Sequence, residues 1–373
     1  MVEMNRPTWV EVDLSRIKKN FEQIGKKISG RDIICVVKAD GYGLGAAEIS
    51  KTLVESGASF FAVASMEEAL ALRDAKIDKP ILVLGYVDTR NLSLASKNSI
   101  RITLFDKDFV KRLEEYTDEA PLYIHIKVDT GMHRLGLSPE EVAPTVDAIK
   151  KMKNVVIEGI YTHFASADSD KAYTLYQIKV FNEVLDDLKK INALPKMIHA
   201  SNSAAVLNYE EAYYSSVRPG ILLYGISPNS QITLDSAFEP AVSLKTRIIK
   251  VTHLSKGSRI SYGGTYELSR DSLIATIPIG YADGVPRNLS NKGYVLVKGK
   301  RAPIIGTITM DMMMVDVTGF PYIHPGNEVV LVGTQGEEKI KIEEFSALAN
   351  TIPYEILVRL NKRIRRVYNK SAI

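Results

Sequence analysis

A chain of 373 residues, 45% hydrophobic and 25% charged, has an ordinary globular composition and the length for roughly two domains. Its net charge of +4, with acids and bases mixed along the chain, makes no case for nucleic acid or an anionic membrane. The single cysteine excludes an internal disulfide, no apolar run approaches the roughly 18–20 residues of a membrane helix, and no signal region is evident, so a cytoplasmic protein is expected.

Residues 8–12 read as a strand, followed by a helix to about residue 28 that Asp13 or Ser15 would cap. The apolar run 33–37 is short enough for a buried strand and is followed by Lys38 and by Gly41, Gly43 and Gly45, where positive φ is permitted. An ammonium at the mouth of an apolar strand is partly desolvated, which lowers its pKa, and only a neutral amine attacks an aldehyde. A strand-ending lysine that points into solvent is the plainer reading of the same residues. No Gly-Lys-Ser/Thr follows, so this is not a Walker loop.

Strand-like runs recur at 60–64, 81–84, 102–105, 122–128, 155–161, 196–200 and 217–224, with amphipathic stretches such as 66–75 and 172–191 between them. Eight strand–helix units predict an α/β fold, a (β/α)8 barrel over residues 11–235. Lys38, Arg134, His163, Ser203, Arg218 and Gly220 lie in or just beyond the downstream parts of those strands, where barrel enzymes build their sites. After residue 235 short β-type runs (243–251, 273–279, 294–297, 302–308, 312–317, 328–332) follow one another, with no helix until 342–349. Residues 236–373, joined by the strand in residues 1–10, are expected to form a second, mainly β domain.

Alternation along the fifth run leaves Tyr123, His125, Lys127 and Asp129 on the barrel interior. A buried lysine needs compensation. Two readings are open: an ion pair with Asp129, or carbamylation of Lys127 by carbon dioxide, which inverts its charge and lets it orient Arg134. The Asp-Thr-Gly at 129–131 has no second copy, which an aspartic protease requires. His163 reads by default as a satisfied core histidine, and the histidine spacings support no metal site. Arg218-Pro-Gly220-Ile221 is either a plain turn or, beside Ser203, a phosphate cradle. Tyr262 lies in a glycine-flanked run of the kind usual for turns and edges.

Taken together these blocks resemble the alanine racemases, fold-type III pyridoxal-phosphate enzymes. The blocks are Val-Val-Lys-Ala-Asp-Gly-Tyr-Gly (36–43), Lys-Val-Asp-Thr-Gly-Met-His-Arg-Leu-Gly (127–136), His-Ala-Ser-Asn-Ser-Ala-Ala (199–205) and Val-Arg-Pro-Gly-Ile (217–221). Ser-Tyr-Gly-Gly-Thr-Tyr (261–266), Gly-Tyr-Ala-Asp-Gly (280–284), Met-Asp (310–311) and Ile-Pro-Tyr-Glu-Ile-Leu (352–357) complete the series over essentially the whole chain. The resemblance implies that Lys38 bonds pyridoxal phosphate covalently. It implies that Tyr42, Ser203, Gly220, Ile221 and Tyr354 hold the phosphate, that His163 neighbours the ring and that Arg218 faces its nitrogen. Arg134 would meet the phenolic oxygen, steadied by a carbamylated Lys127. Tyr262, Met310 and Asp311 would come from the partner in a homodimer with shared sites. Thr309, Met312, Val358 and Arg365 depart from common family residues, which bears on substrate preference and not on reaction class.

The expected reaction is interconversion of L- and D-alanine, a source of D-alanine for bacterial peptidoglycan, with Lys38 and Tyr262 as the two bases. A serine or broad-specificity racemase, a fold-type III decarboxylase and a non-catalytic pyridoxal-phosphate carrier are the rivals. The substrate is expected to be a small amino acid; neither nucleic acid nor membrane is expected as a partner.

Overall fold

The computed structural model describes residues 6–229 and 231–370, which divide into two compact units. One consists of Lys18–Gly41 and Ala46–Leu223; the other takes the described residues up to Ile17, Tyr42–Gly45 and those from Tyr224 onward.

The first unit is a closed parallel barrel of eight strands: Asp32–Val36, Phe60–Val63, Ile81–Val83, Ile100–Leu104, Leu122–Lys127, Val155–Tyr161, Met197–His199 and Ser216–Val217. Strands covered on both faces read as continuous apolar runs, and Ile34, Phe61, Leu82 and Val83 are indeed wholly buried. The connecting helices carry an apolar stripe: Lys171–Lys190 buries Thr174, Gln177, Ile178, Phe181, Val184, Leu185 and Leu188 at three- and four-residue spacing. The helix Met66–Asp74 begins where Ser65 Oγ accepts the Glu68 amide.

The last strand differs from expectation. The run 217–224 yields only Ser216–Val217 as strand and then a 3-10 turn at Ile221–Tyr224. Pro219 brings no N–H to a ladder, and the Gly220 amide is taken by Ser203 Oγ at 3.0 Å.

After the first barrel strand, Lys38–Gly43 forms one helical turn that winds left-handed: φ is 52° at Ala39, 53° at Asp40 and 60° at Tyr42, and positive at Gly41 and Gly43. Left-handed helix costs an L-residue roughly 1–2 kcal/mol, a cost that glycine escapes. Side chains hold the turn: Glu68 Oε1 accepts the Ala39 amide at 2.7 Å, and Asp40 Oδ1 accepts that of Ala46 at 2.9 Å. At Gly43 a Cβ would come within 2.7 Å of the Leu357 carbonyl, so the position excludes any other residue twice over.

The second unit is a mainly β fold. Its large sheet runs in the order Lys250–Leu254, Ser272–Ile277, Met313–Asp316, Lys300–Ile305, Tyr294–Val297, Glu328–Gln335, Val242–Arg247, Trp9–Asp13, Arg365–Asn369. The N-terminal strand Trp9–Asp13 pairs antiparallel with Val242–Arg247 and parallel with Arg365–Asn369. Asp13 Oδ1 then caps the helix Leu14–Lys27 by accepting the amides of Ser15 and Arg16. The single run at 243–251 is two strands, because Ile248 donates to Asn327 and Ile249 to Thr276, on different neighbours. A short helix at Pro353–Val358, begun by proline, was not evident in the periodicity.

Candidate active site

Four cations gather at the C-terminal ends of the barrel strands: Lys38 after the first, Lys127 ending the fifth, Arg134 on the loop beyond it and Arg218 after the eighth. Among the described residues none of the four is ion-paired. Burial, then Arg134 and Arg218, lower the Lys38 ammonium against the opposing pull of Glu68. This is the displacement expected of an amine that must be neutral to react.

Lys127 is 5% exposed, and its Nζ lies 5.7 Å over the Tyr161 ring. Burial, then Arg134 and Arg218, push its pKa down to about 8. Asp129 is not its ion-pair partner. That carboxylate accepts the amides of Gly131 at 2.9 Å and His133 at 3.0 Å, and its other oxygen lies 3.4 Å from His133 Nδ1.

Arg218 is 3% exposed and held from several sides. Nη1 donates to His199 Nδ1 at 2.7 Å; Nη2 donates to the Thr162 and Ala200 carbonyls at 2.7 and 2.9 Å and lies 3.3 Å from His163 Nδ1. Burial lowers it to about 10, still a cation at neutral pH. Its Nε–H and second Nη1–H have no partner among the described residues, so this unit presents donors and no acceptor at that point. Burial and then the charges of Arg218, Lys127, Arg134 and Lys38 keep His163 well below its usual value and therefore neutral.

Ser203 opens the helix Ser203–Asn208, which Asn202 caps through the Ala205 amide at 3.0 Å. Its Oγ accepts the amides of Gly220 and Leu222, which leaves the hydroxyl proton to donate elsewhere. Ile221 is wholly buried, and its amide has no hydrogen-bond partner among the described residues.

The remaining predicted residues lie in the β unit. Tyr42, at the end of the left-handed turn, packs edge-on to Tyr224 (5.5 Å) and tilted to Tyr354 (6.0 Å). Tyr262 is 75% exposed and stands on a strained turn in which Ser261 has φ 64° and Gly263 φ 74°. Ser261 Oγ ties that turn to the Thr307 carbonyl at 2.6 Å, and Thr307 Oγ1 donates to the Tyr262 carbonyl at 3.0 Å. Tyr262, Tyr281, Met310 and Asp311 line an open groove of about 900 Å³ whose lining residues all belong to the β unit. Arg363 holds Asp311 at 2.7 Å and, from the same guanidinium, the fully buried Asp283 at 2.7 Å.

The structure thus brings Lys38, Lys127, Arg134, His163 and Arg218 into one electrostatic cluster and sets Ser203 beside Gly220. Sequence reasoning did not assign His199, which abuts Arg218, or Tyr161, which stacks on His199 at 4.8 Å. Position in the strand was the available signal: His199 falls inside the block 199–205, and His125 alternates in phase with Lys127.

The chain matches the N-terminal domain of alanine racemase over residues 12–228 and the C-terminal domain of alanine racemase over residues 241–368. It is 43% identical over 373 residues to an alanine racemase of Halothermothrix orenii, which covers 99% of this chain and 98% of that relative. A crystal structure of alanine racemase from Bacillus anthracis with bound L-Ala-P superposes with a TM-score of 0.93 at 38% identity, covering 99% of this chain and 97% of the other. A histidine racemase from Leuconostoc mesenteroides superposes at 0.90 with 28% identity over 99% of both chains.

Proposed function

Because the chain belongs to the alanine racemase family, we propose that it interconverts L- and D-alanine with pyridoxal phosphate as cofactor. The observation that carries this reading is Lys38: an amine with a lowered pKa, at the barrel's C-terminal face, among cations without carboxylate partners. The donor set fits the cofactor. An aldehyde calls for a neutral amine, a phosphate and a phenolate call for cations and free donors, and a ring nitrogen calls for a donor such as Arg218.

When bound, pyridoxal phosphate supplies the electron sink that makes the substrate's Cα–H acidic. Lys38 would hold the cofactor covalently and, as a neutral amine, would move a proton at Cα on one face. Tyr262 of a second copy moves the proton on the other face, and Met310 and Asp311 of that copy meet the substrate. Tyr42, Ser203, Gly220, Ile221 and Tyr354 secure the phosphate, and His163 packs by the ring. Arg218 donates to the ring nitrogen without surrendering its proton, which favours prompt return of the Cα proton. Arg134 meets the phenolic oxygen.

Lys127 orients Arg134 as a carbamate. Its ammonium first gives up one proton; the neutral amine then adds to carbon dioxide, one N–C bond forming as a C=O π bond opens and a second proton leaving, so a buried cation becomes an anion among cations. A pKa of about 8 leaves on the order of a fifth of the amine neutral at pH 7.4, against about 0.1% for an ordinary lysine. The exposed Tyr262 groove, built from one unit, supports a homodimer with shared sites.

The histidine racemase of the same architecture keeps substrate breadth a second question. Chiral analysis of product from L-alanine, L-serine and L-histidine in deuterated solvent answers both. Fast exchange and inversion of alanine alone is expected. Preferred inversion of another amino acid would replace the substrate assignment, and carbon dioxide release without inversion would replace the reaction.

A further inference from the structure

The barrel interior carries a line of hydrogen bonds that continues far beyond Arg218. His199 Nε2 lies 2.8 Å from His125 Nδ1, His125 Nε2 lies 3.1 Å from Glu158 Oε2, and Arg101 grips Glu158 through Nε at 2.9 Å and Nη2 at 3.0 Å. Both histidines are fully buried; the Arg101 and Glu158 side chains are 11% and 21% exposed. Arg101 stands near the start of the fourth barrel strand, whereas Arg218 follows the last.

Every proton in this line is determined by its ends. A guanidinium only donates, so His199 Nδ1 must accept from Arg218. Neutral His199 then carries its proton on Nε2 and donates to His125 Nδ1. His125 in turn carries its proton on Nε2 and donates to the carboxylate of Glu158, which Arg101 anchors from the far side. Burial opposes ionisation of Glu158, yet His125 and Arg101 hold its pKa at about 2. Burial first, and then nearby cations, lowers both histidines, so neutral imidazoles fit the chain of donors.

The backbone is shaped for this line. Glu158 is the extra residue of a bulge: Ile124 pairs with Ile157 but His125 with Gly159. A bulge re-aims a side chain, and here it aims Glu158 at His125. Gly159 leaves room for the imidazole, since a Cβ there would come within 2.5 Å of His125 Nδ1. Tyr161 closes the side, stacked on His199 with its hydroxyl 2.9 Å from Thr103 Oγ1.

We infer that Glu158 and Arg101 are positioning residues for Arg218, acting through His125 and His199 locked as Nε2–H tautomers. The relay presents Arg218 with a pure acceptor and transmits the polarisation of a distant carboxylate along two imidazoles. Its consequence for turnover rests on the racemase reading; its existence does not.

The test is nitrogen and proton NMR of the purified holoenzyme labelled at histidine rings, with His125 and His199 assigned from His125→Gln and His199→Gln. Both rings should show an Nε2 proton and a bare Nδ1. Glu158→Gln keeps an oxygen for His125 but removes its charge, so the His125 Nε2 proton should move to higher field, and the His199 Nε2 proton should follow with a smaller shift. A carboxylate that merely filled space would leave His199 unmoved. An Nδ1 proton on either ring, or a shift confined to His125, overturns the relay. If Glu158→Gln fails to fold, the wild-type tautomers alone decide. These signals are read without turnover, so a chain with the expected tautomers but no racemisation would refute the racemase reading and leave the relay standing.

Discussion

Replacing Lys127 by methionine should stabilise the protein in carbon dioxide-free buffer. The pKa of this lysine falls from an ordinary 10.5 to about 8 on folding. At about 1.36 kcal/mol per pH unit the native state carries a penalty of about 3 kcal/mol for the charged form. The penalty is complete below pH 8. Between pH 8 and 10.5 the unfolded chain holds a proton that the folded chain lacks, so wild-type stability rises with pH across that window. Lys127→Met removes the charge and keeps most of the volume. Urea denaturation of both proteins should show the variant ahead by about 1–3 kcal/mol at pH 7, with the gap closing toward pH 10.5. Bicarbonate should narrow the gap at pH 7 by raising the wild type alone, because a carbamate turns the repulsion of Arg134, Arg218 and Lys38 into attraction. A gap independent of pH from 7 to 10.5 without carbon dioxide would refute the electrostatic account, and a gap unmoved by bicarbonate would refute carbamylation.

Borohydride reduction of the holoenzyme followed by peptide mapping should place the pyridoxyl group on Lys38; label on another lysine would end the cofactor assignment. Mixing inactive Lys38→Ala and Tyr262→Phe chains should restore some activity through one intact site per mixed dimer, and no recovery after verified subunit exchange would count against shared sites. Tyr262→Phe should slow Cα exchange of L-alanine more than that of D-alanine, by a factor on the order of 10²–10⁴ for loss of a general base; equal slowing of both would make Tyr262 a positioning group. Gly159→Ala should lower stability by roughly 1–3 kcal/mol, since its Cβ meets His125, and unchanged thermal unfolding would show that the imidazole is free to shift.

The sequence alone determined whatever depends on neighbours in the chain. Eight apolar runs of four to eight residues alternating with helical stripes point to an α/β fold with a parallel sheet, for which the count of eight favours a barrel, and both the expected barrel and the mainly β unit are present. The place of Lys38 at the end of a buried strand was legible, whereas its direction was not: the same residues allowed a lysine in solvent, and burial beside Arg134 and Arg218 is what lowers its pKa. Alternation, a local property, placed His125 and Lys127 on the interior. Tertiary structure decided what depends on register and on partners far along the chain. Nothing near Asp129 announces that its carboxylate prefers the amides of its own loop to Lys127. The five positive φ values at 39–43 fall partly on alanine, aspartate and tyrosine, whose local preference is right-handed, and contacts such as that of Glu68 with Ala39 hold them there. Glu158 reaches His125 only because one extra residue in the sixth strand shifts the pairing. A shift of one residue in a strand exchanges the faces that its side chains occupy, and the pairing that sets it comes from contacts across the barrel, which no short stretch of sequence contains.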